Sequence, residues 1–257
     1  MCIRLLVNTL VLICGASFAA SAVAATPTER LAKDVQLQAF FHATHPWQVK
    51  IYEPAEPDAD TGSEPVRVCL IGELGNPKPY TVCTELFGGA PVDGRAFPMQ
   101  SFRDASLEML SGPGGTQRPA LIVRATFSGG GSGWLQGIYV WDYERRWGIF
   151  RKVFQSVATG AGQQEFLKKG LLAGAFVHVD QVYEGDEPNM MSPVRYRMTV
   201  YEPVPLGYEE VLSLLSEERY ASNHTGDGLP DAIATLTPIM SRALQAVYPD
   251  GVSALEQ

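Results

Sequence analysis

Apolar and polar residues alternate in short runs through the middle of this chain. Trp47-Gln48-Val49-Lys50-Ile51-Tyr52, Val66-Arg67-Val68-Cys69-Leu70 and Tyr80-Thr81-Val82-Cys83-Thr84 carry this two-residue period, which belongs to a strand with one buried face. Pro119 to Phe127, Leu135 to Trp141, Gly148 to Phe154, Ala175 to Tyr183 and Val194 to Tyr201 read as further strands. Turn chemistry separates them: Gly75-Asn76-Pro77, Gly112-Pro113-Gly114-Gly115, Gly129 to Gly133 and Glu187-Pro188-Asn189. Strands this closely spaced predict antiparallel hairpins, since parallel neighbours need long crossovers.

The two ends read differently. Thr26-Pro27-Thr28-Glu29 has capping-box spacing, and Leu31, Val35 and Ala39 recur at helical intervals, so a helix is expected over 26–42. A strand over Val35, Leu37, Ala39 and Phe41 is the competing reading. Gly207-Tyr208-Glu209-Glu210 opens a run with Val211, Leu212, Leu214 and Leu215 that predicts an amphipathic helix to about Tyr220. After a polar stretch, Leu229 to Tyr248 predicts a last helix, kinked or split at Pro238. The expected fold is mostly β, with antiparallel hairpins in a sandwich or propeller-like arrangement, an N-terminal helix and a C-terminal helical segment. The expected division is a β-rich domain over 26–220, with 221–257 packed on it. Three segments echo one another, WQVKIYE from Trp47, IYVWDYER from Ile138 and YRMTVYE from Tyr196. Each is an alternating strand ending in Tyr and an acid.

Residues 1–25 change the picture of where the chain resides. Arg4, an apolar run from Leu5 to Ala20 and the small residues Ala22-Val23-Ala24-Ala25 form a secretory signal pattern. The expected location is therefore periplasmic or secreted, in a Gram-negative envelope. Cys14 follows Ile13, where a lipobox has a small residue, so a lipoprotein is not expected. No later window has the length of a membrane span. Across 257 residues the formal net charge is −8, which argues against nucleic-acid binding, since that needs clustered Lys and Arg. Removal of the signal would leave two cysteines, Cys69 and Cys83. An even pair in an exported chain points to a disulfide. If Ile71 pairs with Thr81 across the Leu74–Lys78 turn, Cys69 falls opposite Cys83, within disulfide range.

Motifs that carry chemistry are sparse. His42-x-x-His45 could offer two imidazoles to a metal, with His178 or Asp180, two apart on one strand face, as a third ligand. It lacks the intervening Glu and the spacing of HExxH. The acids of Glu56 to Glu64 alternate without completing a calcium loop. Met190-Met191, beside the acids of Glu184 to Glu187, does not read as a copper site. Ser128-Gly129-Gly130-Gly131-Ser132-Gly133-Trp134 is not a nucleophile elbow, a Walker loop or a dinucleotide fingerprint. A Ser132–His178–Asp180 triad has no support in the spacing. Arg145-Arg146 and Arg151-Lys152 form a basic group. No cofactor is expected.

Arg118-Pro119-Ala120-Leu121-Ile122-Val123, then Ser128-Gly129-Gly130, then Tyr139-Val140-Trp141 resemble a degenerate FG-GAP/VCBS-like β unit, as found in uncharacterised exported bacterial proteins. The resemblance lies within Ser106 to Tyr220. It implies β hairpins of propeller-like or sandwich type and implies no activity. The aspartate-rich calcium loop of that unit is replaced here by Ser111 to Gln117.

The expected function is non-enzymatic binding of an envelope protein or a surface polymer. Trp134, Trp141, Tyr143 and Trp147 are the contact candidates. The alternatives are an envelope hydrolase with paired carboxylates and a metal-binding protein built on His42 and His45. A carboxyl with a strongly raised pKa inside a pocket would favour the hydrolase.

Overall fold

The computed structural model describes residues 29–55, 64–75, 78–92, 95–111, 116–128, 134–159, 162–168, 174–183 and 193–220, with seven positions between 233 and 246. The expected leader 1–25, including Cys14, lies outside the described residues. So do positions 56–63, 112–115, 129–133 and 184–192.

The strands fall into three meanders, each in chain order. β1 (Glu29–Gln36), β2 (Trp47–Pro54), β3 (Arg67–Gly72) and β4 (Tyr80–Glu85) make the first sheet, with one helical turn, α1 (Gln38–Phe41), before β2. β5 (Phe87–Val92) and β6 (Arg95–Pro98) form a separate hairpin. β7 (Ser101–Ser111), β8 (Gln117–Ser128), β9 (Trp134–Glu144) and β10 (Ile149–Thr159) make the second sheet. β11 (Gln163–Phe166), β12 (Phe176–Tyr183), β13 (Val194–Val204) and β14 (Gly207–Leu215) make the third. Every pairing is antiparallel.

Burial explains why the strand sequences differ. In β2, Trp47, Val49 and Ile51 are buried while Gln48, Lys50 and Tyr52 are half-buried, so one face of the first sheet meets the core. In β8, Ala120, Leu121, Ile122 and Val123 are all buried in succession. The odd-numbered pair packs with Tyr139, Trp141, Val49 and Ile51. The even-numbered pair packs with Ile138, Val140, Phe166 and Phe176. The second sheet is therefore covered on both faces, which demands a continuous apolar run. The third sheet turns Phe176, His178 and Asp180 toward the second, and Val177 and Val179 away from it. Ile233, one of the described helical positions near the C-terminus, is buried against that far face.

Two helix expectations are corrected. Glu29 to Gln36 is β1, and among the described residues of 26–42 only Gln38–Phe41 is helical. Gly207 to Leu215 is β14. In both strands a bulge breaks the two-residue period: Ala32 has no partner between Leu31 and Lys33, and Val211 none between Glu210 and Leu212. The extra residue sets two apolar side chains next to each other or shifts their phase, which imitates a helical spacing. The three echoing segments lie in β2, β9 and β13, all inner strands of their sheets.

Cys69 and Cys83 form a disulfide between directly opposed residues of β3 and β4, with Ile71 opposite Thr81. Arg67 lies over it. Its guanidinium pairs with Glu29, covers the Tyr52 ring and reaches both sulfurs.

Candidate functional site

The third sheet covers only part of the second. Where the two meet, Phe154, Phe166, Phe176, Tyr201 and Tyr208 form an aromatic layer, with Phe176 centred 4.9 Å from both Phe154 and Phe166. Arg118 crosses between the sheets and donates to the Val204 and Gly207 carbonyls.

A polar chain adjoins this layer. Ser156 Oγ lies 2.8 Å from His178 Nδ1, and His178 Nε2 lies 2.6 Å from Asp180 Oδ2. The other Asp180 oxygen accepts from the Thr159 amide and hydroxyl. Burial pushes the Asp180 carboxyl up, but the His178 bond and charge and the two Thr159 donors outweigh it and hold it below its ordinary value. Serine, imidazole and carboxylate are the parts of an acyl-transfer triad, but the burial runs in the wrong order. Ser156 is only 7% exposed and accepts from Gln164 Nε2, whereas Asp180 is the more open end. The chain thus fastens β10 to β12, and its serine is shielded from substrate. The spacing of His178 and Asp180 showed that they share a strand face. Their serine partner is Ser156, and Ser132 lies outside the described residues.

Beyond Gln164, no described strand covers the second sheet's face. A groove of about 340 Å³ runs over β7, β8 and β9, lined by Arg103, Arg124, Thr126, Trp134, Gln136 and Gln164, with Ile138 in its floor. Arg103 is the bulged residue of β7: Phe102 opposes Ala125, Asp104 opposes Arg124, and Arg103 is left between them. Such a bulge re-aims a side chain, and Arg103 Nε donates to Thr126 Oγ1. Arg124 is held from the β7 side by Asp104 at 3.2 Å, Ser106 at 3.4 Å and Glu108 at 3.7 Å. Gln136 donates to the Gly162 carbonyl. Trp134 is 42% exposed. Among the described residues that line the groove, two are arginines and none is acidic.

Of the four aromatic contact candidates, only Trp134 lines this groove. Trp141 and Tyr143 are core residues, 1% and 6% exposed. They occupy the alternate positions of β9 that face the first sheet, and the Tyr143 hydroxyl bonds Thr44 in the loop before β2. Trp147 is 67% exposed with Arg146 over its ring, but it sits in the β9–β10 turn. The length of β9, about 3.4 Å per residue, separates it from Trp134. His42 ends α1 in a left-handed conformation; it and His45 are exposed. Among the described residues no group of three His, Cys, Asp or Glu is placed to hold a metal ion. The third ligands named for His42 and His45 lie elsewhere: His178 and Asp180 are bonded to each other between the second and third sheets.

Burial raises the carboxyls of Asp142 and Glu202 above their ordinary values, with Arg118 partly opposing the effect at Asp142. Neither lines the groove, and neither lines a cavity at β13–β14 or one at Met109 to Ser111. The first of these cavities, about 690 Å³, lies between β13–β14 and the helical residues Ile239, Arg242 and Ala243. Among the described residues, no helix is long and apolar enough to cross a membrane. No family model, curated protein or solved structure matches the chain.

Proposed function

We propose that this chain is an exported, non-enzymatic binding protein of the bacterial cell envelope, and that the groove over β7–β9 engages a surface polymer. The observation that carries the reading is the groove itself. Among the described residues it is a sheet face that presents an exposed tryptophan, two arginines and two carboxamides in one concave surface, the make-up of a recognition site. Export is supported by the leader pattern at 1–25 and by a disulfide suited to an oxidising compartment. The hydrolase alternative has less support, because among the described residues the two carboxyls raised by burial, Asp142 and Glu202, do not line the groove. The three stacked four-stranded meanders suit a propeller-like assembly of blade units, in keeping with the FG-GAP/VCBS-like segment.

The test is capture of envelope polymer. Purified full-length chain and its Trp134→Ala variant are incubated with protease-treated envelope polysaccharide and, separately, with solubilised envelope protein. The reading expects capture of the polysaccharide by the parent chain and loss of about 10-fold or more with Trp134→Ala. Equal capture by both chains, or capture of the protein fraction alone, contradicts it.

A further inference from the structure

We infer that the groove takes an acidic glycan, with a sugar carboxylate between Arg103 and Arg124 and a sugar ring on the face of Trp134. The inference rests on the groove being the recognition surface and specifies what it recognises.

Three features select the ligand's charge. First, among the described residues the two guanidinium groups are the only charged side chains that line the groove. A guanidinium presents its donors as a planar fork that matches a carboxylate. Second, Arg103 is aimed by a backbone irregularity. As the extra residue of the β7 bulge it escapes the strict alternation of its neighbours, and Thr126 fixes it at Nε, leaving its terminal nitrogens for a ligand. Among the described residues no carboxylate pairs with it. Third, Arg124 is pre-organised. Asp104, Ser106 and Glu108 hold its two terminal nitrogens, and a guanidinium has five N–H donors, more than these contacts use. Pre-organised donors lose less freedom on binding than mobile ones.

The ligand's remaining character follows from the neutral groups. Trp134 offers a flat apolar face at 42% exposure, onto which the C–H face of a pyranose can stack. Gln136 and Gln164 are tied to Gly162 and Ser156. Their carboxamides are therefore fixed in place to read hydroxyls. The chain as a whole carries −8, so long-range attraction of polyanions does not assist. Recognition of an acidic polymer must come from the groove itself, with Arg103 as the main attractive charge, because Asp104 and Glu108 already offset that of Arg124.

The experiment uses short oligosaccharides of galacturonate, glucuronate and mannuronate. Each is titrated beside its carboxyl-reduced counterpart into the full chain, and into Arg103→Ala and Trp134→Ala, by calorimetry. Both substitutions fall on the groove surface, and thermal unfolding confirms that the variants fold. At least one acidic oligomer is expected to bind, at least about 10-fold more tightly than its reduced form. Arg103→Ala is expected to remove that preference, and Trp134→Ala to weaken acidic and reduced forms alike. Binding of none of the three below about 10 mM overturns the inference, as does equal affinity for reduced forms or an unchanged preference in Arg103→Ala. Polysaccharide capture that depends on Trp134 but survives carboxyl reduction sinks the acidic-glycan inference and leaves the groove reading standing. Capture indifferent to Trp134 sinks both.

Discussion

His178 on β12 and Ser156 on β10 bond across two sheets, imidazole Nδ1 to hydroxyl Oγ at 2.8 Å, beside the bonds of Asp180 to Thr159. The bond lies beside the groove, because Gln164, which forms part of the groove wall, donates to the same hydroxyl. The fastening therefore helps to fix Gln164 in the groove wall.

Acid should loosen the fastening through Asp180. Its carboxyl is held below the ordinary value of about 3.9. The stability it contributes is therefore complete above that value and is lost as pH falls through the lower folded value. Unfolding by urea between about pH 6 and about pH 3 should show Asp180→Asn less stable than the parent at the upper end. The gap should narrow toward the lower end. A constant gap would contradict this role.

The two tryptophans of β9 should behave oppositely. Trp141 is 1% exposed in the core between the first and second sheets, so Trp141→Ala should cost about 3–5 kcal/mol. Trp134 is surface-exposed, so Trp134→Ala should change stability by less than about 0.5 kcal/mol. Chemical denaturation of both variants checks the contrast.

Reduction of the disulfide should weaken the fold and spare the groove. Cys69 and Cys83 are 14 residues apart in sequence, a loop for which chain entropy gives about 3 kcal/mol. They lie on the first sheet, away from β7–β9. The double replacement Cys69→Ser, Cys83→Ser should lower stability by roughly that amount and leave groove affinity unchanged where the chain stays folded.

Gly72 should not tolerate a side chain. It sits opposite Trp47, and an added Cβ would stand 2.7 Å from the indole ring. Trp47 is itself 1% exposed and has little room to move, so Gly72→Ala should destabilise by about 1–3 kcal/mol. An unchanged urea midpoint would contradict the close approach.

The legible parts of this fold were those where period and burial agree. Val49 and Ile51 alternate with polar neighbours, and Ala120 to Val123 run unbroken because both faces are covered. The disulfide register followed from the turn between the cysteines. Bulges were not legible. One placed Val211 beside Leu212 and suggested a helix, and another delivered Arg103 to the groove. Gln164 was missed because β11 has only four residues, three of them polar. Trp134 stood out as an aromatic at a glycine-rich loop. Trp141 and Tyr143 looked equivalent to it until β9 showed which way each faces.

The most direct test of the central claim is a hydrogen-exchange footprint of the full chain with and without bound envelope polysaccharide. Binding in the groove predicts slowed exchange in peptides spanning Phe102 to Asp104, Arg124 to Thr126 and Trp134 to Gln136, with the first sheet unchanged. Protection confined to the first sheet or to the Trp147 turn would contradict it.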